Sequence, residues 1–274
     1  MIYKTLNNNV EIPILGLGTY KIGNTEAEVY NAIRTALDAG FRHIDTATLY
    51  ENEKPIGKAI RESGVAREGI FVTTKLWGTD VLKDNVQGAF DESMRKLDVG
   101  YIDLYLVHWP VVGKLPYAWQ EMEKIYASEK ARAIGVSNYM IHHLKETLET
   151  ASVVPAVNQV ELHPYLVQQE LVDFCFSKNI LPEAWSPLGS KKVPLLENPL
   201  LVDLSVKYGK TPAQIVLRWN VEKGIVVIPK SSSAERQQEN LAVFDFELSA
   251  EDVQAINELD KDYRTGVHPD EIGF

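Results

Sequence analysis

Apolar residues along this chain fall into two alternating rhythms. Short, continuous apolar runs recur, and each gives way to a longer stretch with apolar positions three and four apart. The first run, Leu15-Gly-Leu-Gly18, is followed by a helical stripe of Ala27, Val29, Tyr30, Ile33 and Leu37, which Gly40 ends. Further runs lie at 43–45, 70–75, 102–108, 131–136, 156–161, 180–184 and 225–228, most of them about thirty residues apart, the size of a βα repeat. Continuous rather than alternating apolar runs belong to a parallel sheet covered on both faces. Eight such units close into a barrel better than they spread into an open sheet. No G-x-G-x-x-G opens a helix, which removes the main argument for the open dinucleotide fold. The prediction is therefore an α/β chain folded as a (β/α)8 TIM barrel.

The remaining pattern adds detail to that frame. Asn7-Asn8-Asn9 lies between the apolar segments 2–6 and 10–14, which predicts an N-terminal β-hairpin. The seventh helical stretch is double, over 198–209 and 212–224. Another helix at 250–259 adds to the extra helices expected near the C-terminus. No linker or low-complexity stretch interrupts the pattern, so residues 1–274 are expected to form one barrel domain.

Composition narrows the function. A net charge of −10 argues against nucleic acid as a partner, because phosphate binding needs a basic face. No apolar run approaches the roughly 20 residues of a membrane span. The N-terminus carries no apolar signal region, and a cytoplasmic monomer is expected. The single Cys175 excludes an internal disulfide framework, and its apolar neighbours point to a buried thiol.

In a (β/α)8 barrel the positions just after each strand share one rim, where active sites lie. Those positions read Asp45 with Tyr50, Lys75, His108, Ser137 with Asn138, Gln159, Trp185, and Lys230 with Ser231. Singly, each has an ordinary explanation. Asp45 or Thr46 could cap a helix, Lys75 could be solvated, and His108 could bond backbone. Ser137 and Asn138 could be N-caps, and Trp185 could be packing. Their conjunction on one rim suggests proton transfer instead. Lys75 beside Tyr50 is expected to lower the phenol's pKa, with Asp45 holding Lys75 charged and aimed. His108 is placed to donate to a substrate carbonyl oxygen.

The nucleophile is not a side chain of the usual kinds. No Ser–His pairing or G-x-S-x-G elbow is present. No metal is expected either, since adjacent His142 and His143 should point apart around a helix. Hydride from a bound cofactor fits best. Its phosphates are expected after the eighth strand, at Ile228-Pro-Lys230-Ser231 and onward to Arg236 and Asn240, where two cations precede a helix N-terminus. A plain serine-rich helix cap is the competing reading of that stretch.

The motifs Gly40-Phe-Arg-His-Ile-Asp-Thr-Ala47 with Tyr50 and Asn52-Glu53, Thr73-Thr-Lys75-Leu-Trp77 and Asp103–Pro110 resemble the aldo-keto reductase family. So do Ile134–Asn138, Val157–Pro164, Ala184–Leu188 and Ile228–Ser231. They follow the family's order over nearly the whole chain and are most similar to its short microbial members, such as 2,5-diketo-gluconate reductases, methylglyoxal reductases and microbial prostaglandin F synthases. The resemblance implies NADPH-dependent reduction of aldehydes and ketones, with Asp45, Tyr50, Lys75 and His108 as the catalytic set and Tyr50 as the acid. It implies that Ser137, Asn138 and Gln159 hold the carboxamide and that Trp185 stacks on the nicotinamide, with Ser186 and Leu188 beside it. Lys230, Ser231, Arg236 and Asn240 would hold the adenosine phosphate end of NADPH or NADP+. Tyr20, Trp77 and Trp109 are expected as apolar pocket walls for a small carbonyl substrate of broad identity.

An alternative is a nicotinamide-binding regulatory or redox-sensing subunit with slow chemistry. Two departures from commoner family residues stand out: Gly78, where Asn is frequent, and Ser232-Ser233, where Val-Thr is frequent. The tail after Asp262 is short and polar, and is expected to close only part of the substrate opening.

Overall fold

The computed structural model describes residues 2–274. After a hairpin of β1 (Tyr3–Thr5) and β2 (Glu11–Pro13), strands and helices alternate as the periodicity requires. The order is β3 (Leu17–Gly18), α1 (Glu26–Ala39), β4 (His43–Asp45), α2 (Glu53–Arg61), β5 (Phe71–Leu76), α3 (Gly78–Leu82) and α4 (Val86–Leu97). Next come β6 (Ile102–Val107), α5 (Leu115–Ala127), β7 (Ala131–Ser137), α6 (Ile141–Thr150), β8 (Val157–Glu161), α7 (Gln169–Ser177) and β9 (Leu181–Trp185). The chain finishes with α8 (Pro199–Tyr208), α9 (Pro212–Glu222), β10 (Val226–Val227), α10 (Ala234–Leu241) and α11 (Ala250–Asn257).

Strands β3 to β10 pair in chain order, every pair parallel. The first and last then join. Gly16 N donates to Val227 O at 2.9 Å, Val227 N to Ile14 O at 2.9 Å, and Gly18 N to Pro229 O at 3.1 Å. This is a closed (β/α)8 barrel, as expected. The hairpin lies across its lower end: Asn7 Nδ2 donates to Pro155 O at 3.1 Å and Asn8 Nδ2 to Arg132 O at 2.8 Å, where β8 and β7 begin.

Side-chain alternation decides what enters the barrel. His43 and Asp45 are two apart on β4 and so share a face, as do Thr73 and Lys75 on β5. The register sets Asp45 opposite Thr73, Ser137 opposite Gln159, and Gln159 opposite Glu183. The polar residues of these strands thus meet inside, while the helices cover the outer apolar face.

The opposite end is structural. At the start of β6, Asp103 accepts from Val72 N at 2.9 Å, Arg67 Nη2 at 2.7 Å and Arg132 Nη1 at 2.9 Å. Most strand boundaries match the apolar runs. However, β9 extends to Trp185, and the short α3 after β5 breaks the helical rhythm without an apolar stripe to announce it.

Candidate active site

Lys75 stands at the centre of the upper rim, fully buried. Its Nζ lies 2.6 Å from Asp45 Oδ1, donates to Thr46 O at 2.9 Å, and sits 5.0 Å from the centre of the Tyr50 ring. Gln159 Nε2 occupies the other oxygen of Asp45 at 2.7 Å. Half-buried Tyr50 packs its ring 5.6 Å from His108 and 5.0 Å from Tyr20, and Trp77 lies 5.3 Å from His108. The four proposed proton-transfer residues therefore converge, and Asp45 is spent on Lys75 rather than on a helix cap. Tyr20 and Trp77 flank them. Trp109 is half-buried beside His108 and makes no ring contact with this group among the described residues.

Burial governs the charges. It works against the Lys75 ammonium, but the Asp45 carboxylate outweighs it and holds the lysine above its ordinary pKa. Burial likewise lifts Asp45 above the ordinary aspartate value, against the pull of Lys75. His108 is pushed well below 6.5, first by burial and then by Lys75, so its imidazole is neutral. Tyr50 corrects the expectation of a lowered phenol. Lys75 does pull its pKa down, but burial pushes harder and Asp45 adds to it, so the net shift is upward. Tyr50 accordingly keeps its proton throughout the neutral range.

A second group of expected residues forms one hydrogen-bonded chain. Trp185 Nε1 donates to Asn138 Oδ1 at 2.8 Å, and Asn138 Nδ2 donates to His108 O at 2.9 Å and Ser137 Oγ at 3.1 Å. Ser137 Oγ donates to Gln159 O at 2.8 Å. Neither Ser137 nor Asn138 caps α6, whose N-cap is Met140; Asn138 instead takes a left-handed φ of 63°. Ser186 and Leu188 follow Trp185 and are half-buried. After β10, Ser231 and Asn240 are buried, while Lys230 and Arg236 are exposed. Ser233 caps α10 by accepting from Arg236 N at 3.4 Å, so the serine-rich segment is a helix cap as well as a cationic rim.

Comparison with known proteins identifies the family. Residues 14–261 match the Aldo/keto reductase family. The chain belongs to that family. A 9,11-endoperoxide prostaglandin H2 reductase of Trypanosoma cruzi is 48% identical over 267 residues, covering 97% of this chain and 94% of that protein. A glyoxal reductase of Bacillus subtilis is 46% identical over 269 residues, covering 98% and 96%. The crystal structure of an aldo-keto reductase from a Medee basin deep-sea metagenome library superposes with a TM-score of 0.96 at 42% identity, covering 99% of this chain and all of that one.

Several residues that shape this aldo-keto reductase site carried no separate signal in the sequence. Asn52 donates Nδ2 to Thr19 O at 2.9 Å and accepts from Thr46 Oγ1 at 2.6 Å, tying the loop around Tyr50 to the end of β3 just before Tyr20. Gln237 donates to Ser231 O at 2.8 Å and Ala32 O at 3.1 Å, anchoring the cationic loop to α1. Glu161, buried at the end of β8, accepts from Thr265 N at 2.7 Å, Gly266 N at 3.0 Å and the Thr265 hydroxyl, with His163 Nε2 at 3.2 Å. It thereby pins the tail, and Gly266 is obligatory there because a Cβ would come 2.6 Å from the Trp185 ring.

Farther along, the Phe274 ring meets Trp77 at 5.4 Å and fills the space a side chain at Gly78 would need. That contact explains the departure at Gly78. The short tail also ends on an apolar ring, which its polar composition had hidden.

His142 and His143 correct another expectation. Rather than diverging, both reach Asp270 Oδ1, at 3.0 and 3.2 Å. His143 Nδ1 accepts from Met140 N at 3.1 Å and His268 Nδ1 from Asp270 N at 3.2 Å. With Nδ1 so engaged, the neutral His143 ring carries its proton on Nε2, which suits a hydrogen bond to Asp270 better than metal ligation. The cluster fastens the tail to α6.

Proposed function

We propose that this chain is an NADPH-dependent reductase of small aldehydes, α-dicarbonyls and ketones, with Tyr50 as the general acid. The observation that carries the reading is the Lys75 ammonium held by Asp45 at 2.6 Å while lying 5.0 Å from the Tyr50 ring centre. That placement lets a cation stabilise the phenolate as it forms, although burial keeps the resting phenol protonated. His108 Nδ1 is buried without a partner among the described residues; with the proton of the neutral ring assigned to Nε2, that nitrogen donates to the carbonyl oxygen. The oxygen is thereby fixed beside the Tyr50 hydroxyl, which gives up its proton as the carbonyl becomes an alcohol.

The donor set fits a nicotinamide dinucleotide. Asn138 and Gln159 present amides beside His108 and Asp45, and Trp185 offers a flat face at the end of β9. Ser231, Lys230 and Arg236 gather at the end of β10 and the start of α10, a cationic place on a chain of net charge −10. Arg236 has a planar fork suited to a 2′-phosphate, and no ion pair engages it among the described residues. The cofactor would supply hydride to the carbonyl carbon. Tyr20, Trp77 and Phe274 give an aromatic wall, with Lys21 Nζ 5.1 Å from the Tyr20 ring centre at its exposed edge, and a mainly apolar wall supports breadth. The relative that is a glyoxal reductase agrees with α-dicarbonyls as one substrate class. Following NADPH absorbance with a panel of aldehydes, dicarbonyls and ketones tests the reading, and no carbonyl-dependent oxidation of NADPH would refute it.

A further inference from the structure

Beneath the Asp45–Lys75 pair, the barrel holds a second carboxyl group that the reductase reading does not use. Glu183 lies in mid-β9, facing inward, opposite Gln159 on β8 and Val226 on β10. It is fully buried, and neither carboxyl oxygen has a hydrogen-bond partner among the described residues. The nearest basic group by contact is His43, whose Nε2 stands 3.8 Å from Glu183 Oε1, beyond hydrogen-bond range, and is engaged with Thr73 Oγ1 at 3.0 Å. His43 Nδ1 is likewise buried and unpartnered.

The charges facing Glu183 are few. From β4 come Asp45 and the neutral His43, whose pKa burial and Lys75 push down to about 3. From β5 comes Lys75, and above it lies the protonated Tyr50. Strand β8 offers only the amide of Gln159, and its register partner on β10 is apolar. Lys75 is already committed to Asp45 and Thr46 O. A second carboxylate here would be buried without hydrogen bonds and next to a like charge.

We propose that Glu183 is a positioning residue of the reductase: held as a neutral acid beneath Asp45, it leaves Lys75 to a single carboxylate, and on ionising it draws Lys75 away from Tyr50. Burial first, and then the Asp45 charge, raise its pKa to about 8, so the change falls within an accessible range. Above that value the two carboxylates compete for one ammonium. Lys75 then supports the Tyr50 phenolate less well, and reduction slows. The proposal rests on the role given to Asp45, Lys75 and Tyr50, so its test includes signals that do not depend on turnover.

The experiment compares the intact protein with Glu183→Gln, which mimics the neutral acid, and with Glu183→Ala. In the infrared spectrum, the wild type should show the carbonyl band of a buried carboxylic acid near neutrality that fades as pH rises through about 8. Glu183→Gln should lack it. The 15N resonance of the Lys75 ammonium should follow the same titration in the wild type and stay constant in Glu183→Gln. With NADPH and a small aldehyde, kcat should fall about threefold or more between pH ~7 and ~9 in the wild type, and this fall should vanish in Glu183→Gln. Glu183→Ala should lower kcat with little change in KM, and Gln should restore most of the loss. Absence of the acid band near neutrality overturns the proposal. So does a Lys75 resonance that titrates identically in the wild type and Glu183→Gln, whether or not the protein turns over. Identical alkaline limbs in an active enzyme overturn it as well.

Discussion

Glu161→Gln should release the tail while leaving the barrel standing. In the native chain one buried carboxylate accepts two backbone N–H groups, at 2.7 and 3.0 Å, together with the Thr265 hydroxyl. Hydrogen bonds to a charged group contribute ~1.5–3 kcal/mol each. Glutamine keeps one acceptor oxygen and turns an N–H₂ toward a backbone donor, so it loses at least one such bond and adds a repulsive contact. A cost of about 3–5 kcal/mol to tail docking follows. Part of the docking persists, because Lys192 Nζ still donates to Thr265 O at 2.6 Å and Arg264 Nη2 to Gln168 Oε1 at 2.8 Å. Even the lower figure raises the open fraction roughly 10²-fold.

Amide hydrogen exchange reads this directly: Thr265 and Gly266 should exchange at least about tenfold faster, while amides of the barrel strands keep their protection. The same bonds hold the Glu161 pKa below the usual glutamate value; burial opposes this, and the contacts from His163, Thr265 and Gly266 outweigh it. A depressed carboxyl stabilises above its unfolded pKa of about 4.3 and ceases to do so as pH falls through the folded value. The wild-type tail should therefore stay closed at neutral pH and loosen only in acid, below pH ~4. Unchanged exchange at Thr265 and Gly266 in the variant would show that Glu161 does not hold the tail.

Three other perturbations test the site. Tyr50→Phe should cut carbonyl reduction by about 10²–10⁴-fold, with cofactor affinity little changed, as measured by kcat and by cofactor titration; near-normal turnover would remove Tyr50 as the acid. If Arg236 meets the 2′-phosphate, NADPH should bind about 10–1000-fold more tightly than NADH, and Arg236→Ala should erase most of that gap without weakening NADH. Gly78→Asn should expel the Phe274 ring from its place against Trp77. The loss of roughly 50 Å² of apolar wall, about 1 kcal/mol, should raise KM for small aldehydes several-fold, and an unchanged KM would mean the ring does not border the substrate.

The sequence conveyed the site more fully than its energetics. Asp45, Lys75 and His108 were legible because barrel topology converts the ends of consecutive strands into neighbours, so a linear reading yields a rim. Gln159 was placed on the rim by the same rule, but its hydrogen bond to Asp45 was not foreseen. Glu161 and Asn52 were not legible as organisers, because their partners lie far away in the chain: Thr265 is 104 residues from Glu161, and Thr19 is 33 from Asn52. Glu183 was passed over inside an otherwise apolar run, where one carboxyl looks like noise until the register turns it inward. Tyr50 failed differently. Its neighbours were identified, but the sign of its pKa shift depends on how much water is removed, which spacing does not reveal. His142 and His143 looked divergent on a helical wheel, yet the tail brings Asp270 within reach of both.

The position of Phe274 has a practical side. The hairpin of β1 and β2 lies across the barrel's lower end, whereas Phe274 lies against Trp77 on the rim. Whatever continues the polypeptide past Phe274, whether an affinity handle or a fusion partner, departs from the rim that carries the proposed active site. The same handle placed ahead of β1 leaves from the far pole of the molecule. For surface immobilisation, attachment through the N-terminal side keeps that rim turned outward.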